Sequence, residues 1–215
     1  MALLSQKLQH FKSTFDAETP AEILETINRS ISLLQSQSPF AQRLNIGEQF
    51  PYFELQDLNK QTFNSFHLLK DKPLIITIVR GGWCPYCMLE MQVWQRTFEQ
   101  NNSELNLVAI TPELPEFAHV MKQDNNLSFP VLFDSGLTFI SELGLVWKID
   151  DALKQQLLKW NVDLTERHCD NEFNLPVPAT FVLDQQGQIR FRFIEEDYSL
   201  RAEPEDVLEV YNSLL

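Results

Sequence analysis

The chain has little cysteine: three in 215 residues, Cys84, Cys87 and Cys169. So small and odd a number excludes a disulfide framework and fits a reducing compartment, so a cytoplasmic location is expected. Basic residues are also scarce. Seventeen Lys and Arg against 30 Asp and Glu give a formal net charge of −13, which argues against nucleic acid or an anionic membrane surface as a partner. No apolar run approaches the length of a membrane-spanning helix, and the stretch Met1 to Leu8 turns polar too early for a secretory signal. Internal repeats and low-complexity segments are missing. So is a second Cys-x-x-Cys pair, which a four-ligand zinc site would commonly use; only His168-Cys169 could complete one around the first pair. The hydrophobic share, 44%, is enough to pack the core of one domain with an appended element.

What the chain does have is Trp83-Cys84-Pro85-Tyr86-Cys87. It stands where an apolar, β-branched run, Leu74 to Val79, meets a helical pattern. The run reads as a strand buried in a central sheet. Gly81-Gly82 breaks it, and Met88, Met91, Val93, Trp94 and Phe98 then recur at helical spacing. A thiol in the first turn of a helix meets unpaired backbone N–H groups and the positive end of the helix dipole, which favour the reactive thiolate. Two such thiols can also close a disulfide with each other. Arg80 precedes the motif, and no acidic residue occurs between Asp71 and Glu90 to oppose a thiolate through local sequence. The glycine-rich approach predicts an accessible pair. Trp83 is expected to shield it.

The rest of the chain organises around this element. Residues 1–40 read as an N-terminal helical extension. Leu4, Leu8, Phe11 and Phe15 share one face of a first helix; Thr19-Pro20 opens a second with Ile23, Leu24, Ile27, Ile31 and Leu34 in its stripe, and Ser38-Pro39 ends it. These helices carry no chemistry of their own and pack either on the domain or on another subunit. Residues 45–215 read as one α/β domain. Phe50–Leu55 predicts a strand, Asp57–Gln61 a turn, Leu105–Ile110 a buried strand, Pro115–Gln123 a helix, and Val131–Phe133 a short strand. That β-α-β-α-β order predicts parallel pairing with helices on both faces. A helical insertion spans Ala152–Trp160, and Thr165–Asn174 reads as polar loop. Ala179–Leu183 and Ile189–Ile194 form a hairpin through Gly187, and Pro204 opens a last helix. Pro178 stands directly before a strand. It is either a plain strand-start residue or a cis proline against the thiols, where it would offer backbone to a docking sulfur.

Strand, Trp-Cys-Pro-Tyr-Cys helix, strand, helix, Val-Pro-Ala-Thr-Phe strand, hairpin and terminal helix together resemble a thioredoxin-like fold: a central mixed sheet with helices on both faces. More closely, Gly47–Leu55 and Arg80–Cys87 resemble the opening segment and active-site loop of the peroxiredoxin-like branch of the alkyl hydroperoxide reductase/thiol-specific antioxidant (AhpC/TSA) family. The resemblance implies a thiol-dependent peroxidase acting on hydrogen peroxide or organic hydroperoxides through a Cys84/Cys87 redox pair. It implies a thioredoxin-type reductant, a homodimer, and neither cofactor nor metal. That family places Thr or Ser three residues before the peroxidatic cysteine and Glu three after. Glu90 therefore puts Cys87 at the peroxidatic position and Cys84 at the Thr/Ser position. A thioredoxin reading makes Cys84 the nucleophile instead. The family's loop proline is replaced here by Arg80, and the arginine expected at the start of the penultimate strand is replaced by Pro178, leaving Arg80 as the candidate substitute.

Three functions follow. The first is the peroxidase. The second is a thiol–disulfide oxidoreductase with Cys84 as nucleophile and Pro178 at its docking surface. The third is a zinc-holding or binding module without catalysis. His10, His67 and His119 read as surface or packed residues. Cys169, beside Asp170 and Glu172, reads as a poor thiolate with at most a resolving role.

Overall fold

The computed structural model describes residues 3–37, 40 and 44–215; the expected helix end at Ser38-Pro39 lies outside them. Its centre is a seven-stranded mixed sheet. The strands are β1 (Glu54–Asp57), β2 (Thr62–Asn64), β3 (Leu74–Ile78), β4 (Leu107–Thr111), β5 (Val131–Phe133), β8 (Ala179–Leu183) and β9 (Ile189–Ile194), in the order β2-β1-β5-β4-β3-β8-β9. β3, β4 and β5 run parallel, while β8 pairs antiparallel with β3 and β9 with β8. Two further strands, β6 (Val146–Lys148) and β7 (Asn174–Pro176), form a separate antiparallel pair.

The continuous apolar run of β3 follows from burial on both faces. Leu74, Ile76 and Ile78 point into one core cluster and Ile75 and Val79 into the other, as the period of two demands. Full burial of each such side chain is worth about 1.5–3 kcal/mol. The second cluster is closed by α1 (Leu4–Glu18), α4 (Pro85–Gln100) and α9 (Pro204–Asn212), whose Leu8, Met91, Trp94, Val207 and Tyr211 meet there. α5 (Pro115–Asp124) adds Met121 to it, and α6 (Thr138–Glu142) puts Phe139 and Ile140 into the first cluster. α3 (Ser65–Leu68) is one short turn.

The N-terminal helices pack on the body of the same chain. α1 lies on α4, and α2 (Ala21–Gln37) lies on α7 (Asp151–Lys159), the predicted helical insertion. A carboxylate fixes the start of α1: the backbone N–H groups of Leu4 and Ser5 donate to Glu203 at 2.9 and 2.6 Å. Free N–H groups at a helix start accept an anion in this way.

Several local expectations are corrected. Strand β1 begins at Glu54, not Phe50; Pro51 has no N–H to give a ladder, and Phe50 and Phe53 serve as buried anchors instead. Within the predicted polar loop 165–174, α8 (Leu164–His168) forms because Asp163 accepts from Thr165 N–H at 2.9 Å, and β7 begins at Asn174. His119 is exposed rather than packed, since α5 turns Ala118 and Met121 inward. Among the described residues no peptide bond is cis, so Pro178 takes the plain strand-start form.

Candidate active site

β3 ends at Ile78, and the chain turns through Arg80-Gly81-Gly82-Trp83 into α4. Gly81 has φ +133°, and a Cβ there would fall 2.4 Å from the Glu113 side chain, so only glycine fits this turn. Glu113, fully buried after β4, accepts from Gly82 N–H at 2.7 Å and from Arg167 Nη1 at 2.7 Å. The loop is thereby clamped from β4 and α8. Cys84 is the N-cap residue of α4, its carbonyl accepting from Met88 N–H at 3.0 Å, and Pro85 follows at the first helical position.

Both thiols are reduced and buried; Cys84 is 1% exposed and Cys87 0%. The accessible pair expected from the glycine-rich approach is therefore corrected. The cover comes from α1, whose Phe11 meets Tyr86 edge-on at 5.1 Å, and from Tyr198, edge-on to Tyr86 at 5.5 Å.

Two arginines divide the pair. Arg201 lies in the segment between β9 and α9. Its Nη2 reaches Cys87 Sγ at 3.5 Å, and its Nε donates to Glu90 Oε2 at 2.8 Å. Thr77 Oγ1 donates to the other Glu90 oxygen at 2.8 Å, and the backbone N–H of Arg80 to Cys87 Sγ at 3.4 Å. Carbonyl oxygens of Tyr198 and Leu200 hold the Arg201 guanidinium from behind. The Arg80 guanidinium lies over two rings, 4.6 Å from the centre of Trp83 and 4.2 Å from that of Tyr198, within cation–π range of both. Its Nε and the Trp83 Nε1 are buried without a hydrogen-bond partner.

This arrangement splits the two acidities. Burial alone would push Cys84 up, but a hydrogen bond from Cys87 and the charges of Arg80 and Arg201 outweigh it and bring Cys84 down to about 6. Burial, together with the hydrogen bond to Cys84 and its charge, pushes Cys87 well above the ordinary thiol range. The two thiols titrate as one coupled pair that holds one easily lost proton. Burial also pushes Glu90 up, against the pull of Arg201. Arg201 itself stays cationic despite its burial, held by Cys87 and Glu90.

The family model described as "AhpC/TSA family" matches residues 46–192. The chain belongs to the AhpC/TSA family. Its chemistry is accordingly that of a thiol-dependent peroxidase. No curated protein sequence matches this AhpC/TSA chain. Among solved structures it is similar to the peroxidoxin BcpB from Mycobacterium tuberculosis, at 15% identity and a TM-score of 0.60 over 80% of this chain and 99% of that one. A yeast mitochondrial 1-Cys peroxiredoxin aligns at 19% identity and a TM-score of 0.58, over 80% of this chain and 76% of that one. A putative protein disulfide isomerase from Bacteroides thetaiotaomicron aligns at 14% identity and a TM-score of 0.53, over 80% and 91%. These likenesses show the thioredoxin-like fold.

The sequence-predicted residues divide as follows in this AhpC/TSA chain. Cys84, Cys87, Arg80, Trp83 and Glu90 come together at the start of α4. Pro178 is buried one residue before the Ile78–Ala179 pair, alongside the end of β3. Cys169 is exposed at the end of α8, in the left-handed conformation with φ 55°. With His168 it joins no cluster of three or more metal-ligating side chains among the described residues.

Three contributors escaped the sequence reading: Arg201, Glu113 and Tyr198. Arg201 brings a buried guanidinium to Cys87 and Glu90, and no local motif marks it. Glu113 is an acid 23 residues beyond Glu90 that returns to the loop through β4. The stretch between Asp71 and Glu90, free of acids in sequence, is thus not free of them in space.

Proposed function

We propose that this AhpC/TSA protein reduces peroxides through attack by Cys84, with Cys87 as the resolving sulfur. The observation that carries this assignment is the split in the pair: Cys84 is the acidic thiol and borders a cavity, while Cys87 is enclosed beside Arg201. The Cys84 thiolate attacks the O–O bond and becomes a sulfenic acid as the other oxygen leaves with a proton. The Cys87 thiol then attacks the Cys84 sulfur, its proton leaving with the hydroxyl as water, and a Cys84–Cys87 disulfide forms. A thioredoxin-type dithiol reopens it, which returns two electrons and two protons to the pair.

The assignment departs from the family pattern, which puts the peroxidatic sulfur at Cys87. Glu90 keeps the family spacing and holds Arg201 beside Cys87, but burial and the neighbouring Cys84 outweigh that cation and raise Cys87. The division into an N-terminal helical extension, 1–40, and a 45–215 domain is part of this reading, supported by α1 and α2 among the described residues, and the sparse cysteine content supports a cytoplasmic setting. Among the described residues no helix is long and apolar enough to cross a membrane. A homodimer is part of the family-based reading.

Disulfide exchange is the second reading. It is favoured by the acidic N-cap thiol backed by a buried partner, with Pro178 beside the strand end. A single-turnover reaction separates the two. Fully reduced protein mixed with hydrogen peroxide loses two thiols far faster than free cysteine if it is a peroxidase. A rate no better than free cysteine transfers the function to disulfide exchange.

A further inference from the structure

A thiolate that splits a peroxide leaves the departing oxygen short of a proton. The attacked oxygen keeps its own hydrogen as the sulfur becomes S–OH, while the other departs as hydroxide, or as alkoxide from an organic hydroperoxide. Water, the acid that hydroxide must become, has a pKa of about 15.7. A proton donor beside Cys84 would meet this charge as it develops. The cavity of about 260 Å³ that Cys84 borders has no Asp, Glu, His, Lys, Ser or Thr among its lining residues. Arg80, which does line it, does not give up a proton. The O–H groups of the lining are the phenols of Tyr86 and Tyr198.

Their surroundings separate the two. The Tyr198 ring lies 4.2 Å from the Arg80 guanidinium, and the Tyr198 carbonyl accepts from Arg201. One arginine thus holds its ring and the other its backbone. Burial pushes the Tyr198 hydroxyl above the ordinary tyrosine range; Arg80 pulls it down and the Cys84 thiolate pushes it up. The group is therefore protonated at neutral pH and within electrostatic reach of both the sulfur and the cation. Tyr86 packs edge-on against Phe11 and Tyr198. Burial raises it too, and Tyr198 and Asp16 add to the rise, so a phenolate there would face a carboxylate instead of a guanidinium.

We infer that Tyr198 is the proton donor of the reaction, its O–H hydrogen-bonding the leaving oxygen and passing to it as the O–O bond breaks. This inference rests on the peroxidase reading and adds a catalytic residue to it. The Cys84 thiolate supplies the electron pair of the new S–O bond, and the O–O pair leaves on the departing oxygen. That oxygen takes the Tyr198 proton and becomes water or an alcohol. Sulfur is oxidised and the peroxide reduced by two electrons. The tyrosinate, beside Arg80, recovers its proton from solvent. The transfer to hydroxide runs downhill, because a tyrosine starting from about 10 remains a stronger acid than water.

Tyr198→Phe removes the hydroxyl and keeps both the ring on Arg80 and the carbonyl on Arg201. The test pairs two oxidants that deliver the same oxygen with different leaving groups. Hydrogen peroxide releases hydroxide; peracetic acid releases acetate, a weak base that needs no proton. In Tyr198→Phe the second-order oxidation rate with hydrogen peroxide is expected to fall about 10²-fold, the lower end for general acid catalysis, and that with peracetic acid to stay within about threefold. Tyr86→Phe should spare both rates. The pH midpoint of Cys84 alkylation by iodoacetamide should be the same in Tyr198→Phe and wild type, which separates proton donation from a change in the sulfur's acidity. Equal losses with both oxidants, a raised midpoint that accounts for the loss, no loss with hydrogen peroxide, or a selective loss in Tyr86→Phe instead would overturn the assignment and leave the peroxidase reading standing. If wild type reacts with hydrogen peroxide no faster than free cysteine, the peroxidase reading itself fails and the inference with it.

Discussion

Cys84 faces Arg80, Trp83 and an apolar cavity, whereas Cys87, three residues on in the same helix, faces Arg201 and the Glu90 carboxylate. One side is a cavity lined mostly by apolar side chains. The other is a closed ionic network with its hydrogen bonds satisfied. Helix position alone would treat the two sulfurs alike, since both stand at the start of α4. Their difference comes from elements far away in sequence: α1, α2 and α7 build the chamber, and Arg201 arrives 114 residues after Cys87. Reactivity in this pair is therefore set by tertiary packing more than by the Cys-x-x-Cys motif.

The comparison breaks first at the sulfurs. Cys84→Ser should lower peroxide turnover by at least about 10³-fold, because it removes the attacking nucleophile. Cys87→Ser should still be oxidised once at Cys84 and then fail to form the internal disulfide. Steady-state assays with a thioredoxin-type reductant, paired with thiol counts after one turnover, check both outcomes.

The ionic side is tested by Arg201→Met. Removing one partner of a buried pair leaves Glu90 uncompensated, so urea unfolding of the reduced protein should show a loss of about 3–5 kcal/mol. Adding Glu90→Gln should restore much of that loss. A single-variant loss below ~1 kcal/mol would mean that the network does not hold this turn.

His168 sharpens the comparison from the Arg80 side. It is fully buried with Nε2 unpartnered, and burial lowers it from 6.5 to about 4, with Arg80 and Arg167 adding to the effect. Between those values the unfolded chain binds the proton that the folded one refuses, so stability falls as pH drops from 6.5 toward 4. The shift corresponds to a loss on the order of 3 kcal/mol across that window. Unfolding midpoints at pH 7 and pH 4.5 should show this slope in wild type, and His168→Leu should flatten it.

The smallest expected effect is the acidity of Cys84. Its alkylation by iodoacetamide should be half-maximal near pH 6 and fall about tenfold for each further unit of acid. Arg80→Met should move the midpoint upward, because it removes one of the two positive charges that favour the thiolate. An unchanged midpoint would assign the acidity to Cys87 and Arg201 alone.

Much of this architecture was legible in the sequence, for identifiable reasons. The apolar run of β3 and the helical spacing after Cys84 report burial directly, so the strand–loop–helix unit and its two thiols could be placed from the residues. Glu90 could be placed too, since its spacing from Cys87 is a property of one helix. Arg201 could not, because nothing beside it distinguishes a buried guanidinium from an exposed one. The burial of the thiols was hidden for a related reason. Gly81-Gly82 looks like open access, but Glu113 fills the space that a side chain would occupy at Gly81, and α1 covers the cysteines from another part of the chain. The amphipathic pattern of α1 and α2 showed that they pack, and could not show that they wall a reactive sulfur.

The central claim is that Cys84 attacks and Cys87 resolves. Trapping the sulfenic acid with a dimedone probe after one equivalent of peroxide, followed by mass spectrometry of Cys84→Ser and Cys87→Ser, tests it most directly. The account predicts near-stoichiometric labelling of Cys84 in Cys87→Ser and almost none of Cys87 in Cys84→Ser. Labelling of Cys87 in Cys84→Ser at the wild-type oxidation rate would contradict it and return the peroxidatic role to the position that the family pattern assigns.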